Sequence, residues 1–173
     1  INAYNQAKVV SDNLKVLAAY GKDQNIIGVQ GQIPKTKESM DKLKKDAAVL
    51  AWTKIIPFAG EYYRDFERGM RAGDAGLDAA DKLISVVSPY ADLLGLRGKG
   101  TYTGSTQDRI ARLVDTMDKI IPQIDAVGPQ LATVRKEMNS IDPDRYAFKP
   151  EIQTALKSAI QQVNDAEALL IES

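Results

Sequence analysis

Histidine and cysteine, which carry most side-chain chemistry near neutral pH, are both missing from this chain of 173 residues. Without histidine there is no imidazole base, no imidazole metal ligand and no near-neutral protonation switch. Without cysteine there is no thiolate nucleophile, disulfide or thiolate metal site. A serine or threonine nucleophile would have to rely on a lysine base, and no motif around any of them builds such a pair. The sequence therefore predicts no catalytic residue, no cofactor and no metal, and a protein that is not an enzyme.

The remaining groupings have simpler readings. Asp74, Asp78 and Asp81 fall on one helix face. Bundles that hold two iron ions use inward carboxylates together with Glu-x-x-His, which this chain cannot supply, so a solvated acidic face is expected. Gly95-Leu96-Arg97-Gly98-Lys99-Gly100-Thr101 has the look of a phosphate loop. That motif needs Gly-Lys followed by Ser or Thr, between a strand and a helix. Here Gly100 follows Lys99 and no strand precedes it, so a loop between helices is expected. Asp142-Pro143-Asp144 starts like a calcium loop, but Ala147 and Gln153 stand where Gly and Glu are required. A helix-capping use is expected there. Lys35, Lys37, Lys42, Lys44 and Lys45 are interleaved with Glu38 and Asp41, a pattern of paired charges on a wet helix face. The chain has 23 basic and 23 acidic residues, so no net field draws it to nucleic acid, and none is expected as a partner.

The strongest candidate for recognition is aromatic. Trp52, Phe58, Tyr62, Tyr63 and Phe66 surround Pro57. Large aromatics supply much of the burial in a small domain, so a core at one end of a bundle is the first expectation, with Tyr63 the outermost ring. The second is an interaction surface made of Trp52, Phe58, Tyr62, Tyr63, Arg64 and Arg68, since aromatics and arginine anchor interfaces. Arg64, Arg68 and Arg71 are also the only clustered residues that could converge on a small ligand.

The elements that position these residues are helices. Apolar residues recur at three and four, and glycine and proline separate the runs. The spacing predicts a helix over Asn2–Tyr20, with Ala3, Ala7, Val10, Leu14, Leu17 and Ala18 inward and Gly21 as its stop. Asp23–Leu50 contains Gly28, Gly31 and Pro34 and is expected to be kinked or broken, burying Met40, Leu43, Ala47 and Leu50. From Pro57 a helix should reach Leu94, striped by Tyr62, Phe66, Met70, Leu77, Ile84, Val87 and Ala91, and kinked at Pro89. Gly69, Gly73 and Gly76 with Ala72, Ala75, Ala79 and Ala80 make a small-residue stripe suited to close helix contact rather than a hinge. Ser105 should cap a helix running to Ile141, with Ile110, Leu113, Met117, Ile121, Ile124, Leu131, Val134 and Met138 inward and bends at Pro122 and Pro129. Pro150 should open a last helix to Ile171, striped by Ile152, Leu156, Ile160, Val163 and Leu170. No segment alternates with period two. The fold class is all-α: a single domain, an elongated antiparallel bundle of about five helices, some long and proline-kinked.

No apolar run approaches the ~20 residues of a membrane-spanning helix. The chain begins at Ile1 rather than Met, so it is expected to be an excised piece of a larger, membrane-anchored protein whose anchor lies outside this sequence. Long amphipathic helices broken at Trp52-Thr53-Lys54-Ile55-Ile56-Pro57-Phe58-Ala59-Gly60 resemble the membrane-proximal helical region of one family. It is the domain-of-unknown-function family numbered four thousand and twelve. In that family an N-terminal membrane span leads into alanine-rich helices with a Leu-Pro-hydrophobic-Gly corner, then a separate conserved domain. Ile56-Pro57-Phe58-Ala59-Gly60 corresponds to the corner, and the helices from Ile110 to Ile171 to the pair leading onward. The family's segment with Asn and Gly-Gly-Phe character is absent, so no site residue carries over. The resemblance implies a tethered, extracytoplasmic module on a bacterial surface. Its partner would be another protein or a flanking domain of the same chain, with the membrane reached only through the anchor. The rival expectation is a sensory bundle of chemoreceptor type that holds a small ligand between helices.

Overall fold

The structure is a computed structural model that describes residues 2–96 and 104–171, with 167 and 169–171 described by their backbone alone. It is an all-α bundle with no strand among the described residues. The α-helices are α1 (Asn2–Lys22), α2 (Ile26–Ala47), α3 (Ala59–Val87), α4 (Ala91–Leu94), α5 (Thr106–Asp125), α6 (Gly128–Asn139) and α7 (Pro150–Ile171). Single 3₁₀ segments cover Ala48–Ile55, Ser88–Tyr90 and Pro143–Tyr146. The chain forms two compact units: residues 1–49 with 77–128, and residues 50–76 with 129–173.

In the first unit α1 and α2 pair as an antiparallel hairpin. Gly21 lies inside α1, contrary to its expected role as a stop; the left-handed residue of the turn is Gln24 (φ 52°). Asn25 then caps α2, its side chain accepting the Gly28 N–H at 2.9 Å. Gly28 is needed for proximity, because a Cβ there would come within 2.5 Å of the Tyr20 ring. α2 continues through Pro34 without a break. Its buried face runs through Ile26, Ile33, Met40, Leu43 and Ala47, with Gln32, Thr36 and Ser39 among them. Those polar groups are satisfied locally: Thr36 and Ser39 donate to carbonyls three or four residues back, and Gln32 Nε2 donates to Asn13 Oδ1 at 2.9 Å. On α1 the inward positions are Val10 and, half-buried, Ala3, Asn13 and Leu17; Leu14 is exposed. Leu50 is also exposed, because the switch to 3₁₀ geometry at Ala48 changes the angle per residue and rotates it off the α2 face.

Two proline positions divide helices that the apolar spacing reads as continuous. α3 ends at Val87 and Pro89 sits at the start of a 3₁₀ turn, a break rather than a kink. The helix expected over Ser105–Ile141 is two helices. Pro129 has no N–H to offer the Asp125 carbonyl and its ring collides with that oxygen, so α5 stops at Asp125 and α6 begins at Gly128. Pro122, by contrast, lies within α5. Ser105 caps α5 as expected, accepting the Asp108 N–H at 3.1 Å. The inward face of α5 carries Thr116 and Ile120, with Val127 buried just beyond. The expected stripe is met in part: Leu113 and Ile124 are half-buried, whereas Ile110, Met117 and Ile121 are exposed, as is Val114. On α7 the stripe is half-buried at Leu156, Ile160 and Val163 and exposed at Ile152; the side chain of Leu170 lies outside the described residues.

The second unit contains the first half of α3, with α6 and α7. α3 and α6 run antiparallel, joined by Arg71 to Glu137 at 2.8 Å. A Cβ at Gly76 would meet Val134 Cγ2 at 3.8 Å, an ordinary van der Waals distance, and one at Gly69 would meet nothing within 4 Å, so neither glycine is required by the close helix contact expected of the small-residue stripe. Leu77, Ala79 and Ile84, on the other half of α3, are buried in the first unit.

Ile33 is 1% exposed and Ile27 is 61% exposed on the same helix. Ile33→Ala should therefore lose about 2–5 kcal/mol by leaving a cavity in the α1–α2 face, while Ile27→Ala should change stability by less than about 0.5 kcal/mol. Chemical denaturation of the two variants against the parent checks both values.

Candidate interaction surface

The residues singled out around Pro57 separate into an outward apolar corner and an inward polar lock, all within the second unit. The corner is built from its backbone. Leu50–Ile55 is wound as 3₁₀ helix, Thr53 Oγ1 donates to the Leu50 carbonyl at 2.7 Å, and Ile56 N–H donates to the Thr53 carbonyl at 2.9 Å. The chain then reverses at Pro57-Phe58. Ala59, Gly60 and Glu61 N–H groups donate back to Pro57, Ile56 and Phe58 carbonyls. Phe58 takes a left-handed conformation (φ 68°), which an aromatic residue adopts only under constraint. Gly60 is buried against the turn, and a Cβ on it would lie 2.6 Å from the Lys54 carbonyl oxygen.

This geometry turns the apolar side chains outward. Ile55 and Phe58 are 85% and 86% exposed, and Trp52 is 61% exposed. The expected end-of-bundle core is therefore not formed by Trp52 and Phe58. A 3₁₀ segment followed by a left-handed turn cannot keep a single inward stripe. Tyr63 also departs from expectation. It is half-buried rather than outermost, with its ring 5.8 Å from Phe66 and the Lys54 ammonium 5.1 Å above it. Lys54 Nζ in turn reaches Glu67 at 2.7 Å.

The inward group centres on Asp65, whose side chain is 2% exposed. Arg68 Nη1 donates to it at 2.9 Å, Tyr146 Oη at 3.2 Å, and Arg145 Nη1 donates to the same carboxylate. Tyr62 Oη donates to the Arg145 carbonyl at 3.2 Å, and its ring stands edge-on to Tyr146 and Phe148. The turn carrying Arg145 and Tyr146 is set by Asp142, which accepts the Asp144 N–H at 3.0 Å, the capping use expected of Asp142 and Pro143. Nothing in the local spacing signals this lock, because its two halves lie about eighty positions apart.

The arginines considered as ligand-binding candidates are all neutralised. Arg64 pairs with Glu61, Arg68 with Asp65 and Arg71 with Glu137. The hydrogen bond from Arg64 holds the Glu61 carboxyl below its ordinary value, and that from Arg71 does the same for Glu137. Elsewhere, Lys37 bridges Asp78 at 2.7 Å and Asp81 at 3.9 Å, and no group of three potential metal ligands clusters among the described residues. Glu38–Lys42 and Asp41–Lys44 pair as the interleaved charges predicted. Of the glycine-rich loop, Gly95 ends α4 in a left-handed conformation and the Leu96 carbonyl accepts the Ile26 N–H at 3.1 Å; the residues from 97 to 103 lie outside the described residues. No helix among the described residues is long and apolar enough to cross a membrane. Compared with known proteins, the chain matches no family model, no curated protein and no solved structure.

Gly60→Ala should cost about 1–3 kcal/mol, since backbone rather than a flexible side chain must yield to the new methyl. A drop of that size in a denaturant melt checks the corner's geometry. Burial, then the neighbouring Asp65 charge, pushes the Tyr146 phenol up to about 12. Its raised value means that its contribution to stability is complete below the unfolded value near 10 and is lost as pH rises through about 12. One of the seven tyrosines should ionise late in a phenolate absorbance titration, and Tyr146→Phe should remove that step together with the alkaline loss of stability.

Proposed function

We propose that this chain is a non-enzymatic docking and spacing module of a bacterial extracytoplasmic protein, and that it works through exposed helix and corner surfaces. The observation that carries the reading is the corner itself, where Trp52, Ile55 and Phe58 stand in solvent on a backbone held by its own hydrogen bonds. A folded chain that turns three large apolar side chains outward on an ordered turn presents an anchor for something else. The neutralised arginines support the same reading, because none is left to hold an anionic ligand on α3. The membrane-anchored, extracytoplasmic setting rests on the family resemblance of the Trp52–Gly60 segment, and the chain's lack of oxidisable thiols is compatible with it.

A ligand-binding sensory bundle is the second reading. It is favoured by two openings. One is an apolar pocket of about 180 Å³ in the first unit, lined by Tyr20, Ile26, Val29, Leu83, Ile84 and Val87. The other is a polar cleft of about 560 Å³ lined by Ala132, Arg135, Lys136, Asn139 and Asn164. The cleft is shallow in chemistry: Asn139 and Asn164 spend their amides on each other, at 2.9 and 3.2 Å.

Thermal melting of the chain across a panel of small metabolites, small aromatic molecules and divalent metals separates the two readings, because a ligand that binds only the folded state raises the midpoint by mass action. The docking reading expects no shift with any member of the panel. A midpoint rise of several degrees that saturates with one small molecule would replace it with the sensory bundle.

A further inference from the structure

We propose that the Trp52–Phe58 corner docks onto a lipid surface, inserting Trp52, Ile55 and Phe58 into the interfacial region of a bilayer. This rests on the docking reading above and names its partner. Between Asp46 and Glu61 the sequence holds fourteen residues with a single charge, Lys54, and no carboxylate. That one ammonium is turned back onto Glu67 at 2.7 Å and over the Tyr63 ring, so it need not enter the lipid with the apolar tip. A bilayer demands that backbone donors and acceptors be satisfied within the inserting segment. The corner meets much of that demand: Pro57 has no N–H, and the N–H groups of Ile56, Ala59, Gly60 and Glu61 close within it.

The side-chain presentation favours lipid over a protein groove. Ile55 and Phe58 are each more than four-fifths exposed, so little of either side chain is covered by the rest of the protein. A fluid apolar phase fills around such projections, whereas a protein would need a separate pocket for each. The closed turn holds Phe58 in a left-handed conformation with its ring in solvent. Tryptophan with large apolar neighbours is also the composition that settles at the boundary between headgroups and acyl chains.

Trp52 is the only tryptophan in the chain, so its fluorescence reports on the corner alone. The full chain is titrated with neutral phosphatidylcholine vesicles and, separately, with vesicles containing phosphatidylglycerol, some prepared with brominated acyl chains. We expect a blue shift with both lipids, similar affinity for the two because Lys54 is internally paired, and quenching by the brominated chains. The double variant Ile55→Asp with Phe58→Gly should retain the helical circular dichroism, since both positions are exposed and glycine suits the left-handed turn. Its vesicle partitioning should fall by about tenfold or more, from the loss of two buried apolar side chains. A blue shift that grows with protein concentration in the absence of vesicles would place a second copy of the chain on the corner. It would overturn the lipid proposal while leaving the docking reading intact. No shift and no quenching with either vesicle would also overturn it. Binding to phosphatidylglycerol alone, lost in moderate salt and unchanged in the double variant, would overturn insertion in favour of charge attraction by other residues.

Discussion

A carboxylate removed from water has to be met by donors and countercharges, and Asp65 is met on every side. Arg68 reaches it from the next turn of α3, while Arg145 and Tyr146 reach it from the turn after α6. This matters more than an ordinary ion pair because the second unit has little else at its centre. Among the described residues its fully buried apolar side chains are Ala72 and Ile141. Half-buried side chains supply the rest: Tyr62 stands edge-on to the half-buried Tyr146 and to the exposed Phe148, with ring centres 5.3 and 6.0 Å apart. A buried charge network of this kind confers geometry more than net stability, since desolvation offsets much of the attraction. Its effect is to hold the Pro143–Tyr146 turn against α3 at one register.

Proline governs where the helices end, and the same residue type does so in three different ways. In α2 and α5, Pro34 and Pro122 are carried inside the helix. Pro129 ends α5 and starts α6, and Pro89 ends α3 in a 3₁₀ turn. Pro57 sits in a reversed turn ahead of α3 rather than in its first turn. The missing N–H is common to all of them. The missing N–H alone does not set whether a helix continues, since Pro34 and Pro122 are carried and Pro129 is not. The helical class and most element centres were therefore legible from spacing and from caps such as Ser105, whereas continuity across a proline was not.

The inward register was legible only where a single apolar stripe existed. On α2 the spacing picks out Met40, Leu43 and Ala47, and all three are buried. On α5 the apolar residues spread over a wider arc. Counting them at threes and fours selects Leu113 and Ile124, which are half-buried, but also Ile110, Met117 and Ile121, which are exposed, and it misses the buried Thr116 and Ile120. A threonine is cheap to bury when its hydroxyl can turn onto its own helix, as Thr36 does in α2, so polarity at one position does not reveal which stripe is covered. The Asp65 lock was illegible for a related reason: an aspartate followed at three residues by an arginine reads as a surface pair, and nothing near it signals that a second arginine and a tyrosine will close over it.

The corner shows how an aromatic-rich sequence can point away from the core. Aromatics around a proline suggest burial, because their large apolar area is stabilising when removed from water. Here the backbone decides otherwise. Gly60 packs against the Lys54 carbonyl, a contact that only glycine allows, and this draws the two limbs of the turn together. With the limbs closed, Phe58 is forced into its left-handed conformation and its ring has no inward direction left. Lys54 is drawn the other way, onto Glu67 and Tyr63, so the polar member of the segment faces the protein and the apolar members face out. That inversion follows from Gly60, Pro57 and the Lys54–Glu67 pair acting together.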